Sequence, residues 1–229
     1  MNRIFNFSAG PCTLPVPALE SAAAEFMDFQ GQGMSLIEMS HRSKPYDAVH
    51  MEAMDLVRRL YGVPDNYKIM FIGGGATLQF GMVPMNLMAP GGSCDYTLTG
   101  VWAKKAIADA KKIGNVNLAF DGSDESFINL TDAASLKVNP DAAYFHMTSN
   151  ETIGGIQWND FPDTGDVPLV CDMSSDFVSR RVDISKFGLV YAGAQKNAGP
   201  AGTSIVIIRD DLLERSSDNL TAYLNYSIH

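Results

Sequence analysis

Lys68-Ile69-Met70-Phe71-Ile72-Gly73-Gly74-Gly75-Ala76-Thr77-Leu78 is the stretch on which the reading of the fold turns. Lys68 to Ile72 is a short apolar run of strand character, the glycines break it, and Leu78 to Met88 continues with helical character. Strand, glycine turn and helix in succession is the repeating unit of α/β proteins, and it leaves backbone N–H groups at the helix start facing a bound phosphate. Three glycines also suit a plain tight turn, so both readings stand at this point. The spacing matches neither GxGxxG nor GxxxxGK[ST], and neither a dinucleotide nor a nucleoside triphosphate is inferred.

Working outward, the same alternation repeats. Asp95 to Thr99, Val116 to Phe120, Ala142 to Met147, Val167 to Cys171, Gly188 to Tyr191 and Thr203 to Ile208 are strand candidates, with a helix predicted over Val101 to Ile113. The polar run Asp121 to Asp132 reads as surface connection, with an edge strand as the alternative. Toward the N-terminus, Pro11, Pro15 and Pro17 keep residues 1–17 extended, and an alanine-rich helix is predicted over Ala18 to Phe29. A second helix opens at Pro45 and places Tyr46, Val49, Ala53, Leu56, Val57 and Leu60 on one face. The pattern predicts an α/β fold with a mainly parallel sheet flanked by helices, and a site built from the loops at the carboxyl ends of its strands.

Composition narrows the function. With 17 basic and 26 acidic residues the net charge is -9, which argues against nucleic-acid binding. Cys12, Cys94 and Cys171 are far apart and show no CxxC spacing, and His41, His50, His146 and His229 share no metal spacing, so neither a disulfide framework nor a metal site is expected. No apolar run approaches membrane-spanning length and no targeting segment is apparent, so a soluble, cytoplasmic protein is expected.

Five places carry chemistry. In Tyr191-Ala192-Gly193-Ala194-Gln195-Lys196-Asn197-Ala198-Gly199-Pro200-Ala201-Gly202, one amine sits among small residues between two buried strands. It is either a solvated turn lysine or a Schiff-base lysine held close to an aldehyde. Asp172, at the end of an apolar strand, is either a turn or capping carboxylate or the partner of a ring nitrogen that it keeps protonated. Trp102, in the first turn of its helix, either packs or covers a ligand. Thr148-Ser149-Asn150-Glu151-Thr152-Ile153-Gly154-Gly155 supplies small polar groups after a strand, and Ser40-His41-Arg42-Ser43-Lys44 concentrates anion binders.

Phe5-Asn6-Phe7-Ser8-Ala9-Gly10-Pro11, Glu38-Met39-Ser40-His41-Arg42, Gly73 to Phe80, Asn150 to Gly155 and Tyr191 to Gly202 together resemble the phosphoserine aminotransferase family of fold type I pyridoxal-phosphate enzymes. The resemblance implies that residues 18–229 form the large, cofactor-binding domain. It implies pyridoxal 5'-phosphate carried by Lys196, with Asp172 on the pyridine nitrogen, Trp102 stacked on the ring and Thr152 on its phenolic oxygen. Ala76, Thr77 and Gln195 would hold the cofactor phosphate, and His41 and Arg42 would face the substrate's phosphate or carboxylate, often across a dimer contact. The implied reaction is reversible amino transfer from L-glutamate to 3-phosphohydroxypyruvate, giving phosphoserine and 2-oxoglutarate, in a homodimer. Family members continue into a smaller C-terminal domain that is absent here. The expectation is therefore of a C-terminally truncated chain with little activity alone. A non-catalytic fragment that needs a complementary segment, or a related small-acid aminotransferase, are the alternatives.

Overall fold

The computed structural model describes residues 3–229; Met1 and Asn2, which begin the expected N-terminal extended segment, lie outside the described residues. The helices are α1 (Val16–Ala24), α2 (Lys44–Tyr61), α3 (Gly75–Leu87), α4 (Val101–Ala110) and the short α5 (Asp210–Leu213). The main sheet contains β1 (Tyr67–Gly73), β2 (Ser93–Leu98), β3 (Asn115–Asp121), β4 (Phe145–Thr148), β7 (Leu169–Asp172), β8 (Leu189–Gly193) and β9 (Thr203–Arg209). A separate hairpin pairs β5 (Asn150–Glu151) with β6 (Ile156–Gln157).

The seven-stranded sheet runs in the order β1-β9-β8-β7-β4-β2-β3. β3, β2, β4, β7 and β8 are mutually parallel, and β9 runs antiparallel to both of its neighbours. β1 therefore points the same way as β8, and β9 alone is reversed. All residues of β4, β7 and β8 are buried, as expected where both faces of a parallel sheet are covered. On one face, side chains of α3 and α4 pack with Tyr144, Val170, Leu189, Tyr191 and Tyr226. On the other, the end of α2 packs with Phe145, Met147, Trp158, Phe177 and Phe187.

The two N-terminal helices depart from the periodicity reading. α2 stops at Gly62, which takes the left-handed conformation (φ 59°) suited to glycine, while Arg58 donates to the carbonyls of Val63, Pro64 and Tyr67. Only Val57 and Tyr61 of this helix are buried; Leu56 and Leu60 stay largely exposed. The apolar face is present, but this chain covers only its last turns. α1 starts at Val16 rather than Ala18, ends at Ala24 and buries none of its residues. The segment 121–132 forms no strand beyond Asp121 and is mostly exposed.

Candidate active site

The β8–β9 connection carries Lys196. The ladder between the two strands continues past their ends with Ala194 N–H donating to Thr203 O (2.9 Å), and one helical turn follows, with Ala198 and Gly199 N–H groups donating to Ala194 O. The N-terminal segment lies against this turn, with Cys12 N–H donating to Gln195 O (2.9 Å). Gly10 packs closely on the lysine: a Cβ there would lie 3.2 Å from Lys196 Cγ.

Lys196 Nζ donates to Thr152 Oγ1 at 2.5 Å and stands 4.4 Å from the centre of the Trp102 ring. Burial pushes the amine below the ordinary lysine range, and Asp172, Glu151 and Cys12 act against that shift. Asp172 is the last residue of β7 and is buried. Burial holds its carboxyl above the usual range, opposed by hydrogen bonds from Ser174 and by the charge of Lys196. Oδ1 accepts from Ser174 N–H (2.9 Å) and Ser174 hydroxyl (2.6 Å), and the same hydroxyl accepts from Gly193 N–H (2.9 Å). The turn reading of Asp172 therefore holds for Oδ1. Oδ2 accepts no hydrogen bond among the described residues.

At the start of α3, Gly74 (φ 92°) and Gly75 (φ 64°) occupy conformations that a side chain would strain, so the helix can begin directly at the strand end. Ala76 and Gln195 meet around Gly193: a Cβ there would lie 2.9 Å from Gln195 Oε1 and 3.4 Å from Ala76 Cβ. Gln195 Oε1 is buried without a hydrogen-bond partner, as is Trp102 Nε1. Thr77, in the same first turn, is exposed. His41 and Arg42 are also exposed, and no side-chain hydrogen bond or ion pair joins either to the Lys196 cluster among the described residues.

The structure thus gathers Lys196, Thr152, Trp102 and Asp172 in one place and Ala76 with Gln195 around Gly193, while no hydrogen bond or ion pair joins His41 or Arg42 to either group among the described residues. Sequence reasoning missed Glu151, whose buried carboxylate reaches α4, and Ser174, which ties Asp172 to β8. For Ser174 the Asp-x-Ser spacing after a strand was the available signal; Glu151 offered only an acid within a run of small polar residues. A cleft of about 330 Å3 beside the lysine turn is lined by Phe7, Ser8, Cys12, Lys196 and Asn197. A cavity of about 460 Å3 among Phe161, Asp166, Lys186 and Arg209 contains none of the groups that face Lys196. Among the described residues, no three His, Cys, Asp or Glu side chains gather into a metal-holding group.

An amine whose proton affinity is lowered by burial, an aromatic face beside it and a buried carboxylate at the end of β7 thus stand together. The chain belongs to the aminotransferase class-V family, whose pattern matches residues 4–221. It is 52% identical to the phosphoserine aminotransferase of Desulfosudis oleivorans over 228 residues, covering 99% of this chain and 63% of that protein. Among solved structures it superposes on phosphoserine aminotransferase from Bacillus circulans subsp. alkalophilus with TM-score 0.96 and 49% identity, over 99% of this chain and 63% of that one. PLP-bound phosphoserine aminotransferase from Trichomonas vaginalis gives TM-score 0.92 and 41% identity, over 99% and 67%. The fold is that of these aminotransferases. The chain spans about 63% of the length of the curated relatives that it matches.

Proposed function

We propose that the chain carries the cofactor site of a pyridoxal-phosphate aminotransferase acting between L-glutamate and a small phosphorylated 2-oxo acid, 3-phosphohydroxypyruvate, with phosphoserine as product. The observation that carries this reading is the half-buried Lys196 amine, bonded to Thr152, facing the Trp102 ring and coupled electrostatically to Asp172. The residues present fit the cofactor. Asp172 Oδ2 is free for a protonated ring nitrogen, Trp102 offers a face, and the Gln195 side-chain amide, which lies with Ala76 around Gly193, offers Nε2 as a donor to a phosphate. When bound, pyridoxal phosphate supplies an electron sink for the pair of electrons left as the amino acid's Cα loses its proton.

The chain's own groups then have defined tasks. Lys196 Nζ takes the Cα proton, and burial suits it by keeping the amine closer to neutrality than a solvated lysine. Asp172, fixed through Ser174 to the end of β8, keeps the ring nitrogen protonated by a charge-assisted hydrogen bond. Thr152 orients both the lysine and the ring's phenolic oxygen, and Trp102 sets the plane of the ring. Ala76, Thr77 and Gln195 hold the cofactor phosphate at the α3 start, mainly through backbone N–H groups and the Thr77 hydroxyl. His41 and Arg42, exposed and without ion pairs among the described residues, are assigned to the anionic groups of the substrates.

The exposed apolar side chains of Ile4, Phe5 and Phe7, and an α1 that buries nothing, support a homodimer. No described helix is long and apolar enough to cross a membrane, and we place the protein in the cytoplasm.

The test is the absorption spectrum of the purified protein with pyridoxal phosphate, followed by borohydride reduction and peptide mass mapping, and then amino transfer from glutamate. A visible band with the reduced adduct on Lys196, lost in Lys196→Ala, is expected. An adduct only on other lysines would refute the site.

A further inference from the structure

Helix α4 begins without a side chain of its own to satisfy its first N–H groups: the residue before it is Gly100, which supplies no cap. The missing acceptor comes instead from Glu151, on the small hairpin beside the lysine. Glu151 Oε2 accepts from Trp102 N–H (3.0 Å) and Oε1 from Ala103 N–H (2.8 Å), across 49 and 48 residues of chain. The carboxylate is 1% exposed, so both bonds are made away from water, at the end of the helix where negative charge is favoured.

Gly100 shows that this contact is built in. Its φ of 165° is extended backbone that any residue adopts, so conformation does not demand glycine there. Space does: a Cβ on Gly100 would lie 2.6 Å from Glu151 Cδ and 2.8 Å from Glu151 Oε2. The position is kept empty for the carboxylate.

The residue next to Glu151 is Thr152, whose hydroxyl takes the Lys196 amine, and the first side chain of α4 to face the site is Trp102, whose ring stands 4.4 Å from that amine. The hairpin is locked behind them by Gly155 N–H donating to Glu151 O (2.7 Å). One residue therefore fixes the distance between the ring and the lysine, holding the helix that carries Trp102 with its side chain and the hydroxyl that holds Lys196 with its backbone.

We propose that Glu151 is the positioning residue of this site, holding the Trp102 ring in register with Lys196 through a carboxylate cap on α4. The inference rests on the aminotransferase reading for its purpose, and on the geometry alone for its existence. A plain helix cap would lower stability when removed and leave the ring environment in the folded protein unchanged.

The experiment uses Trp158→Phe as background, which leaves Trp102 as the single tryptophan. Acrylamide quenching of Trp102 is measured without cofactor in the parent, Glu151→Gln, Glu151→Ala and Gly100→Ala, at urea concentrations where circular dichroism shows each to be folded. Pyridoxal-phosphate binding is measured alongside. Removing the carboxylate, or pushing it aside with the new Cβ, is expected to raise the quenching constant about twofold or more and to weaken cofactor binding roughly tenfold or more. Glu151→Gln keeps one acceptor and is expected to fall between. If Glu151→Ala does not fold, Gly100→Ala and Glu151→Gln decide. Unchanged Trp102 quenching in the folded variants overturns the proposal. Failure of the parent to bind pyridoxal phosphate, with quenching still dependent on Glu151, overturns the aminotransferase reading and leaves the positioning role intact.

Discussion

His146 makes acid a specific threat to this fold. It sits in β4 at 1% exposure, with Nε2 on the Tyr191 hydroxyl (2.9 Å), its ring stacked on Tyr96 at 4.4 Å, and Nδ1 without a partner. Burial pushes its pKa down from 6.5 to about 3. Between those values the unfolded chain holds a proton that the folded chain refuses, so stability falls as pH drops below about 6.5. Each pH unit costs about 1.4 kcal/mol, which gives about 3 kcal/mol by pH 4.5 and roughly 5 kcal/mol across the whole window. His146→Gln can keep a hydrogen bond to Tyr191 and does not titrate. Urea unfolding followed by circular dichroism, on both proteins at pH 7.5 and pH 4.5, isolates the effect. Carboxylates held low by their partners, such as Asp211 beside Arg209, also lose their contribution in acid, but they do so in both proteins and cancel. The stability difference between wild type and variant is expected to shift by about 3 kcal/mol in favour of the variant at the lower pH. Parallel pH profiles for the two proteins would refute the argument.

Two further outcomes follow from the same reasoning. Acetylation of Lys196, followed by mass spectrometry against pH, is expected to titrate below the ordinary lysine value of 10.5, and lower again in Asp172→Asn, because the Asp172 charge acts to raise it; a titration at or above the ordinary value would contradict the burial argument. Tyr226→Phe removes the hydroxyl that donates to Gln79 Oε1 (2.6 Å) and leaves that buried oxygen unpartnered, so the urea midpoint is expected to fall by the equivalent of about 1–3 kcal/mol at constant slope. A change of only a few tenths would mean that Gln79 finds another donor.

Much of this was legible in the sequence because it is local. The strand, the glycine turn and α3 follow one another along the chain, and the small residues around Lys196 lie between two apolar runs that become β8 and β9. Asp172 was legible for the same reason, an acid placed directly after buried residues. What the sequence withheld is non-local. Periodicity gives α2 an apolar face but cannot say what covers it, and within this chain only Val57 and Tyr61 are covered. The β5–β6 pair is too short to show alternation. Glu151 could not be identified as a cap, since caps are sought within a few residues of a helix and this one acts from 49 residues away. The reversal of β9 left no mark either, because a central buried strand reads the same in both directions.

That reversal governs how the lysine moves. An antiparallel partner lets β8 return through a short loop at the same edge of the sheet, rather than through a crossover helix. The backbone beneath Lys196 is thus pinned to the sheet on both sides, by the Gly193–Ser204 pair and by the Ala194–Thr203 hydrogen bond. Travel of the amine between its partners is left to rotation about its own side-chain bonds, which belongs to picoseconds and nanoseconds rather than to the slower clock of loop opening. The sheet acts as a fixed bench and the four-carbon stem as the moving arm, so what can move at this turn is the side chain rather than the strands that carry it.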